Sequence, residues 1–485
     1  MFENLTNANG DYKNLLHGQW VESTSEYVEI HCPVDHSFVG KVEALKPNHI
    51  DEIYKSSRKA FVEWKNTPEN QRAKILHKAA DLLAENAEEV AKKITTEVAK
   101  DHKSALSEVM RTVDFIRFTA ESGQSIMGET LEGDLFPEFG RSKMSMVIRE
   151  PLGVVLAISP FNYPVNLAAS KIAPALIAGN TVVFKPATQG AIAGLYLAEI
   201  FRAAGLPDGV LNTVTGRGSE IGDDVVTRPE LDFVNFTGST QVGQHIAKLV
   251  EMKPILMELG GKDSAIVLAD ADLSSAAKNI VSGAFSYSGQ RCTAVKRVLV
   301  VDEVADQLAA EIVALASKLT VGNPLTDNVD IVPLIDTKAA DFVEGLIKDA
   351  NDKGAKLLLG GTRDGNTIAP TIFDQVTEDM RIAWEEPFGP VVPIIRVKDA
   401  DEAIRISNKS EYGLQGAVFT ENIDNAFYVA NRLEVGTVQI NNKTERGPDH
   451  FPFLGVKNSG IGTQGIKYSV QAMTRPKSIV INLKK

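Results

Sequence analysis

Apolar residues change their spacing several times along this 485-residue chain, and each change marks a different kind of element. Across residues 15–45, apolar and polar positions alternate between Gly, Pro and Asp breaks. That alternation predicts short strands joined by turns. From Thr67-Pro68-Glu69 the period lengthens to that of a helix. Thr67 is a candidate cap, Pro68 suits a first turn, and Glu69 suits the positive end of the helix dipole. Ile75, Leu76, Ala79, Leu82, Leu83, Val90 and Ile94 form the apolar stripe, so one long helix is expected. A second amphipathic helix is expected from about Ser104 through Arg111, Val113, Ile116 and Phe118.

Residues 128–139 are rich in Gly and acids, and a strand pattern follows at 143–149, which reads as a projecting hairpin. Apolar runs at 153–158, 181–184, 210–214 and 232–236 each precede a helical pattern. This predicts an α/β fold of parallel strands with crossover helices. Pro174 is expected to kink or end the helix after Asn166, with Gly179-Asn180 as its C-terminal signal. A second strand–helix series begins near Asp263 and runs through 298–301, 357–359, 391–397 and 437–440. Residues 478–483 read as a terminal strand whose edges need cover.

Charge and cysteine usage narrow the class. Lys and Arg total 51 against 63 Asp and Glu, a net charge of -12. A general nucleic-acid binder is not expected, and any anionic ligand must be held by a local basic cluster. Cys32 and Cys292 are the two cysteines, and no C-x-x-C motif is present. That fits a reducing, cytoplasmic setting. Residues 1–10 are polar, without a signal-like core, and no apolar run approaches the ~18 residues of a membrane span. The histidines are scattered without metal-ligand spacing, so no metal is expected.

Five stretches carry candidate chemistry. Cys292 follows Gly289-Gln290-Arg291 and is either a nucleophile or a small buried hydrophobe. Asn162, between Pro160 and Pro164, is either an oxyanion donor or a turn residue. Glu258 lies among apolar residues before two glycines, as a general base or as a partner of Lys262. Residues 236–243, F-T-G-S-T-Q-V-G, follow a strand and open a helix, which suits an anion or only a helix cap. Lys185 and Thr188 follow the strand at 181–184 with no acid beside them. Such a strand end can accept a 2′-phosphate that a carboxylate would repel, or it can be ordinary surface.

Together these motifs resemble the aldehyde dehydrogenase superfamily. The matching runs are S-P-F-N-Y-P (159–164), F-K-P (184–186), F-T-G-S-T-x-x-G (236–243), M-E-L-G-G-K (257–262), G-Q-R-C-T (289–293) and E-E-P-F-G-P (385–390). Longer runs at 172–180, 259–268, 284–297 and 440–449 resemble one branch, the non-phosphorylating NADP-dependent glyceraldehyde-3-phosphate dehydrogenases. The resemblance implies a Rossmann-type NADP domain (1–130 and 150–260), a catalytic domain (261–465) and a small β oligomerisation arm (131–149 and 466–485). It implies Cys292 as nucleophile, Asn162 as oxyanion donor and Glu258 as base. Ser159, Lys185, Thr188, Asp223, Gly238, Ser239, Leu259, Glu386 and Phe388 would line the NADP site. Arg111, Asn162, Tyr163, Arg291 and Arg446 would meet the substrate, the arginines and Tyr163 at its phosphate. It also implies pairing of the hairpin and C-terminal strand across subunits, giving a homo-oligomer, a tetramer as a dimer of dimers.

The expected reaction converts D-glyceraldehyde 3-phosphate to 3-phosphoglycerate. The rivals are a dehydrogenase for another anionic aldehyde and a non-enzymatic structural member. A phosphorylating glyceraldehyde-3-phosphate dehydrogenase would need an S-C-T-T-N motif and a histidine base; this chain has neither that motif nor a histidine near Cys292 in sequence.

Overall fold

The computed structural model describes residues 1–123, 128–138, 140–326 and 328–483. Two open sheets organise it. The first has the spatial order Gly460–Ile461, Ile255–Glu258, Leu231–Thr237, Val154–Ile158, Thr181–Lys185, Leu211–Thr213. Its strands are parallel except Gly460–Ile461, which returns from the far end of the chain and sets Gly460 opposite Glu258. Val154–Leu156 and Thr181–Lys185 are buried on both faces, as continuous apolar strands under helices must be. Chain order reverses between Val154–Ile158 and Leu231–Thr237, so a crevice opens beyond Ser159 and Gly238, where open α/β sheets bind ligands.

The second sheet has the order Lys356–Leu359, Thr371–Asp374, Val391–Val397, Arg297–Val301, Ser264–Val267, Gln415–Phe419, Thr437–Ile440. Only Lys356–Leu359 runs antiparallel to its neighbour. Gln415–Phe419 is a central strand that the apolar-run reading passed over, because its five residues begin with Gln and Gly.

Helical expectations needed four corrections. The single helix expected over 67–94 is two, Glu69–Glu85 and Ala87–Val98. Asn86 divides them with non-helical torsions, and its amide donates to the Leu82 carbonyl. Pro68, not Thr67, precedes the first helical residue, with no side-chain cap. An unforeseen helix, Pro47–Trp64, buries Ile50, Ile53, Tyr54 and Trp64 in an otherwise polar sequence. Pro174 lies inside Asn166–Ile177 without ending it. All twelve residues of that helix are buried, so packing outweighs the one backbone bond that proline removes. The helix ends as read, with Gly179 at φ +90 and Asn180 N–H returning to the Ala175 carbonyl.

The hairpin exists, Glu129–Glu132 against Lys143–Pro151. The C-terminal strand starts earlier than expected and pairs with that hairpin's second strand in its own chain, from Thr474 opposite Pro151 to Asn482 opposite Lys143. The two segments expected to join across subunits therefore join each other, which leaves the outer edge of Thr474–Asn482 open.

Candidate active site

The Cys292 loop is held from four sides. Tyr287 and Ser288 take left-handed torsions, φ +50 and +53, which non-glycine residues adopt only under constraint. The constraints are visible: Tyr287 OH donates to the Val98 carbonyl, and Ser288 Oγ both donates to the Val332 carbonyl and accepts from its N–H. Gly289 continues at φ +71, and a Cβ there would lie 2.3 Å from the Gly389 carbonyl oxygen. Gln290 is tied through its carboxamide to Ile335 and Pro333. Thr444 Oγ1 reaches the Thr293 carbonyl. Cys292 thus leaves a rigid bend, half-buried and unbridged. Burial pushes its thiol up to about 11, against a downward pull from Lys296. Lys296 donates to the Cys292 carbonyl.

Asn162 and Cys292 are brought together. The Asn162 amide nitrogen donates to the Gln290 carbonyl at 2.8 Å, which uses one of its two hydrogens. The second hydrogen and the Cys292 N–H, which has no partner among the described residues, are the two donors suited to an oxyanion.

Glu258 does not pair with Lys262. Arg446 Nη1 lies 3.1 Å from each Glu258 oxygen, and Thr237 Oγ1 donates to Oε2 at 3.0 Å. Lys171 Nζ donates to that same threonine at 2.7 Å. Burial pulls the Lys171 ammonium down to about 8, with Glu258 opposing. Lys262 is buried without a partner among the described residues, and burial first, then Arg297 and Lys296, hold it well below the ordinary lysine value. Sequence reading missed Lys171 and Lys296. A lone lysine in the apolar helix 166–177 was the available signal for the first, and four-residue spacing from Cys292 for the second.

The crevice beyond the first sheet fits a dinucleotide phosphate ester. Ser239 caps the helix Thr240–Leu249, whose N-terminus faces that crevice. Gly243 lets Leu259 lie flat on this helix, since a Cβ would meet the leucine side chain at 2.3 Å. A Cβ on Gly238 would meet the Phe236 ring at 2.5 Å. Lys185, at the end of its strand, has no partner among the described residues, and burial pulls it down to about 8. Ser159 Oγ is likewise buried and unpartnered. Thr188 turns its hydroxyl to the Gly216 carbonyl, 3.3 Å away. Asp223 is more peripheral, an exposed partner of His245. Across the crevice, Glu386 accepts from Lys296 Nζ at 2.8 Å and from Gly261 N–H. Phe388, at φ +47, meets Phe161 edge to face.

Arg111, Tyr163 and Arg291 line one cavity of ≈ 790 Å³, together with Lys100 and Ser282. Arg446 faces a neighbouring cavity of ≈ 300 Å³ with Asp449 and Phe453. Asp449 receives a two-pronged bond from Arg111, Nε to Oδ2 at 2.7 Å and Nη2 to Oδ1 at 2.8 Å. Arg291 donates to the Gly283 carbonyl and keeps its Nε buried and unpartnered. Three of the four residues read as anion ligands therefore share a cavity beside the Cys292 loop, while Arg446 is engaged by Glu258.

The Aldehyde dehydrogenase family profile matches residues 20–479. Among curated relatives, an NADP-dependent glyceraldehyde-3-phosphate dehydrogenase of Streptococcus equinus is 58% identical over 98% of this chain and 99% of its own. One of Pisum sativum is 49% identical over 97% and 95%. A solved NADP-dependent glyceraldehyde-3-phosphate dehydrogenase from Bacillus halodurans, complexed with NADP, superposes with a TM-score of 0.96 at 55% identity, covering 98% of this chain and 100% of its own.

Proposed function

The chain belongs to the aldehyde dehydrogenase family, and from that premise we propose that it oxidises D-glyceraldehyde 3-phosphate with NADP and water to 3-phosphoglycerate, without inorganic phosphate. The observation that carries this reading is one rigid assembly of thiol, amide donor and buried carboxylate beside an arginine-lined cavity. Cys292 Sγ adds to the aldehyde carbon, and its proton leaves the site. Asn162 and the Cys292 N–H stabilise the oxyanion of the thiohemiacetal. Lys185, Thr188, Ser159, Ser239 and Glu386 would hold NADP, which would supply the acceptor for the hydride lost when the thiohemiacetal becomes the Cys292 thioester. Glu258 takes a proton from water, which attacks the Cys292 thioester and releases the acid. Arg111, Tyr163 and Arg291 hold the dianionic phosphate, for which forked, charged donors are suited.

The division into NADP domain (1–130 and 150–260), catalytic domain (261–465) and arm (131–149 and 466–485) belongs to this reading. So does a homo-oligomer, a tetramer, supported by Met146, Ile148, Ile479 and Val480 exposed on the arm. No helix among the described residues is long and apolar enough to cross a membrane. Free Cys32 and Cys292 favour a cytoplasmic setting. The test is steady-state NADPH production with and without inorganic phosphate. A strict phosphate requirement, or a strong preference for NAD, would overturn the assignment.

A further inference from the structure

Lys100 lies in the turn between helices Ala87–Val98 and His102–Ser122. Ala99 before it takes φ +54, and Asp101 after it caps the next helix through Ser104 N–H. The turn aims Lys100 inward, where its side chain is 1% exposed. Its Nζ bonds Glu108 Oε2 at 2.5 Å. The other Glu108 oxygen accepts the N–H groups of Val165 and Asn166, both at 3.0 Å. That carboxylate closes the start of helix Asn166–Ile177, directly after Asn162 and Tyr163. The Lys100 ammonium lies 3.7 Å from the Tyr163 ring centroid and 4.7 Å from that of Tyr287. One buried cation thus touches a ring from the Asn162 loop and a ring from the Cys292 loop.

Apolar residues can often replace a buried ion pair without loss of stability, so packing alone does not account for this pair. Its position does. A cation on the face of a phenol withdraws electron density and makes the hydroxyl a stronger donor. A dianionic acceptor gains more from that than a neutral one.

We propose that Lys100 is a specificity-determining positioning residue: held by Glu108 against the Tyr163 ring, it orients that ring and strengthens its hydroxyl as a donor to the substrate phosphate. This rests on the reading of the cavity of Arg111, Tyr163 and Arg291 as the phosphate pocket. Lys100 acts through Tyr163, so its effect belongs to phosphorylated aldehydes and is absent for aldehydes without the phosphate.

The experiment compares D-glyceraldehyde 3-phosphate with D-glyceraldehyde, using the full-length enzyme and the paired substitution Lys100→Met with Glu108→Gln, which leaves no orphan charge. KM for the phosphorylated substrate is expected to rise about 5- to 30-fold, the range of a desolvated cation–π contact. KM for D-glyceraldehyde and for NADP should stay within about twofold, and the pair should add nothing in a Tyr163→Phe background. A parallel rise for both aldehydes, or the same rise without the Tyr163 hydroxyl, overturns the inference. Should the pair fail to fold, Lys100→Arg decides. It keeps the cation over the ring and should hold the KM for D-glyceraldehyde 3-phosphate within about threefold; a larger rise overturns the inference. An unsubstituted enzyme indifferent to the phosphate sinks the functional reading, and this inference with it. A discriminating enzyme unmoved by the paired substitution sinks this inference alone.

Discussion

Arg446→Met separates two roles for this arginine, phosphate ligand and partner of the Glu258 carboxylate. The side chains of Arg446 and Glu258 are 13% and 4% exposed, so the pair is largely out of water. Removing one member of such a pair costs about 3–5 kcal/mol, because a charge stays buried without its partner. Glu258 keeps the Thr237 hydroxyl, with Lys171 behind it, which places the loss from the pair near the lower end of that range. Losing the 2.7 Å bond from Arg446 Nη2 to Gln464 adds about 1 kcal/mol. Total destabilisation should be about 4 kcal/mol. Glu258→Gln alone, and both changes together, complete a cycle. The coupling should be about 2 kcal/mol, since the double variant leaves no bare carboxylate. The assay is urea unfolding of the four proteins, with kcat and KM measured for Arg446→Met. If Arg446 holds Glu258, kcat falls, because the base loses its orienting partner. A coupling below about 0.5 kcal/mol, with loss confined to KM for D-glyceraldehyde 3-phosphate, would refute the pairing argument and restore a purely phosphate-binding role.

Other predictions follow from single contacts. Gly289→Ala places a methyl 2.3 Å from the Gly389 carbonyl oxygen at φ +71; the bend must shift, and kcat should fall about 100-fold, read by steady-state rates and by slower or faster alkylation of Cys292. Asn162→Ala removes an oxyanion donor and should lower kcat about 100- to 1000-fold with little change in KM; an unchanged kcat would exclude it from that role. Lys185 is protonated below about 8 and neutral above, because burial depresses its pKa below the ordinary lysine value. KM for NADP should therefore climb as pH rises through 8, while KM for NAD stays flat; parallel pH profiles would remove Lys185 from the 2′-phosphate.

Local pattern determined much of this protein. Four apolar runs became the parallel strands at 154–158, 181–185, 211–213 and 231–237; the first two are the most apolar because helices cover both their faces, while Asn212, Asp232 and Asn235 interrupt the others. Gly179, Gly289 and the Ser239 cap were legible because each local torsion or orphan N–H requires that residue type. The helix Pro47–Trp64 went unread although Pro47 at its first turn and Ile50, Ile53, Tyr54 and Trp64 at helical spacing signal it; the break at Asn86 was not legible, because the apolar stripe continues past it to Val90 and Ile94.

For the site, sequence supplied the identities and resemblance to a family supplied the roles. Tertiary structure decided the pairings. Glu258 and Arg446 are 188 residues apart, and Arg111 and Asp449 are 338 apart. The return of Gly460–Ile461 to the first sheet and the Arg446 contact place the C-terminal loops beside Glu258. The arginine that reads along the chain as a free anion ligand is bound to the Glu258 carboxylate. The reason is electrostatic: where two buried charges come within 3.1 Å, the pairing is set by distance and desolvation, and neither exists until the chain has folded.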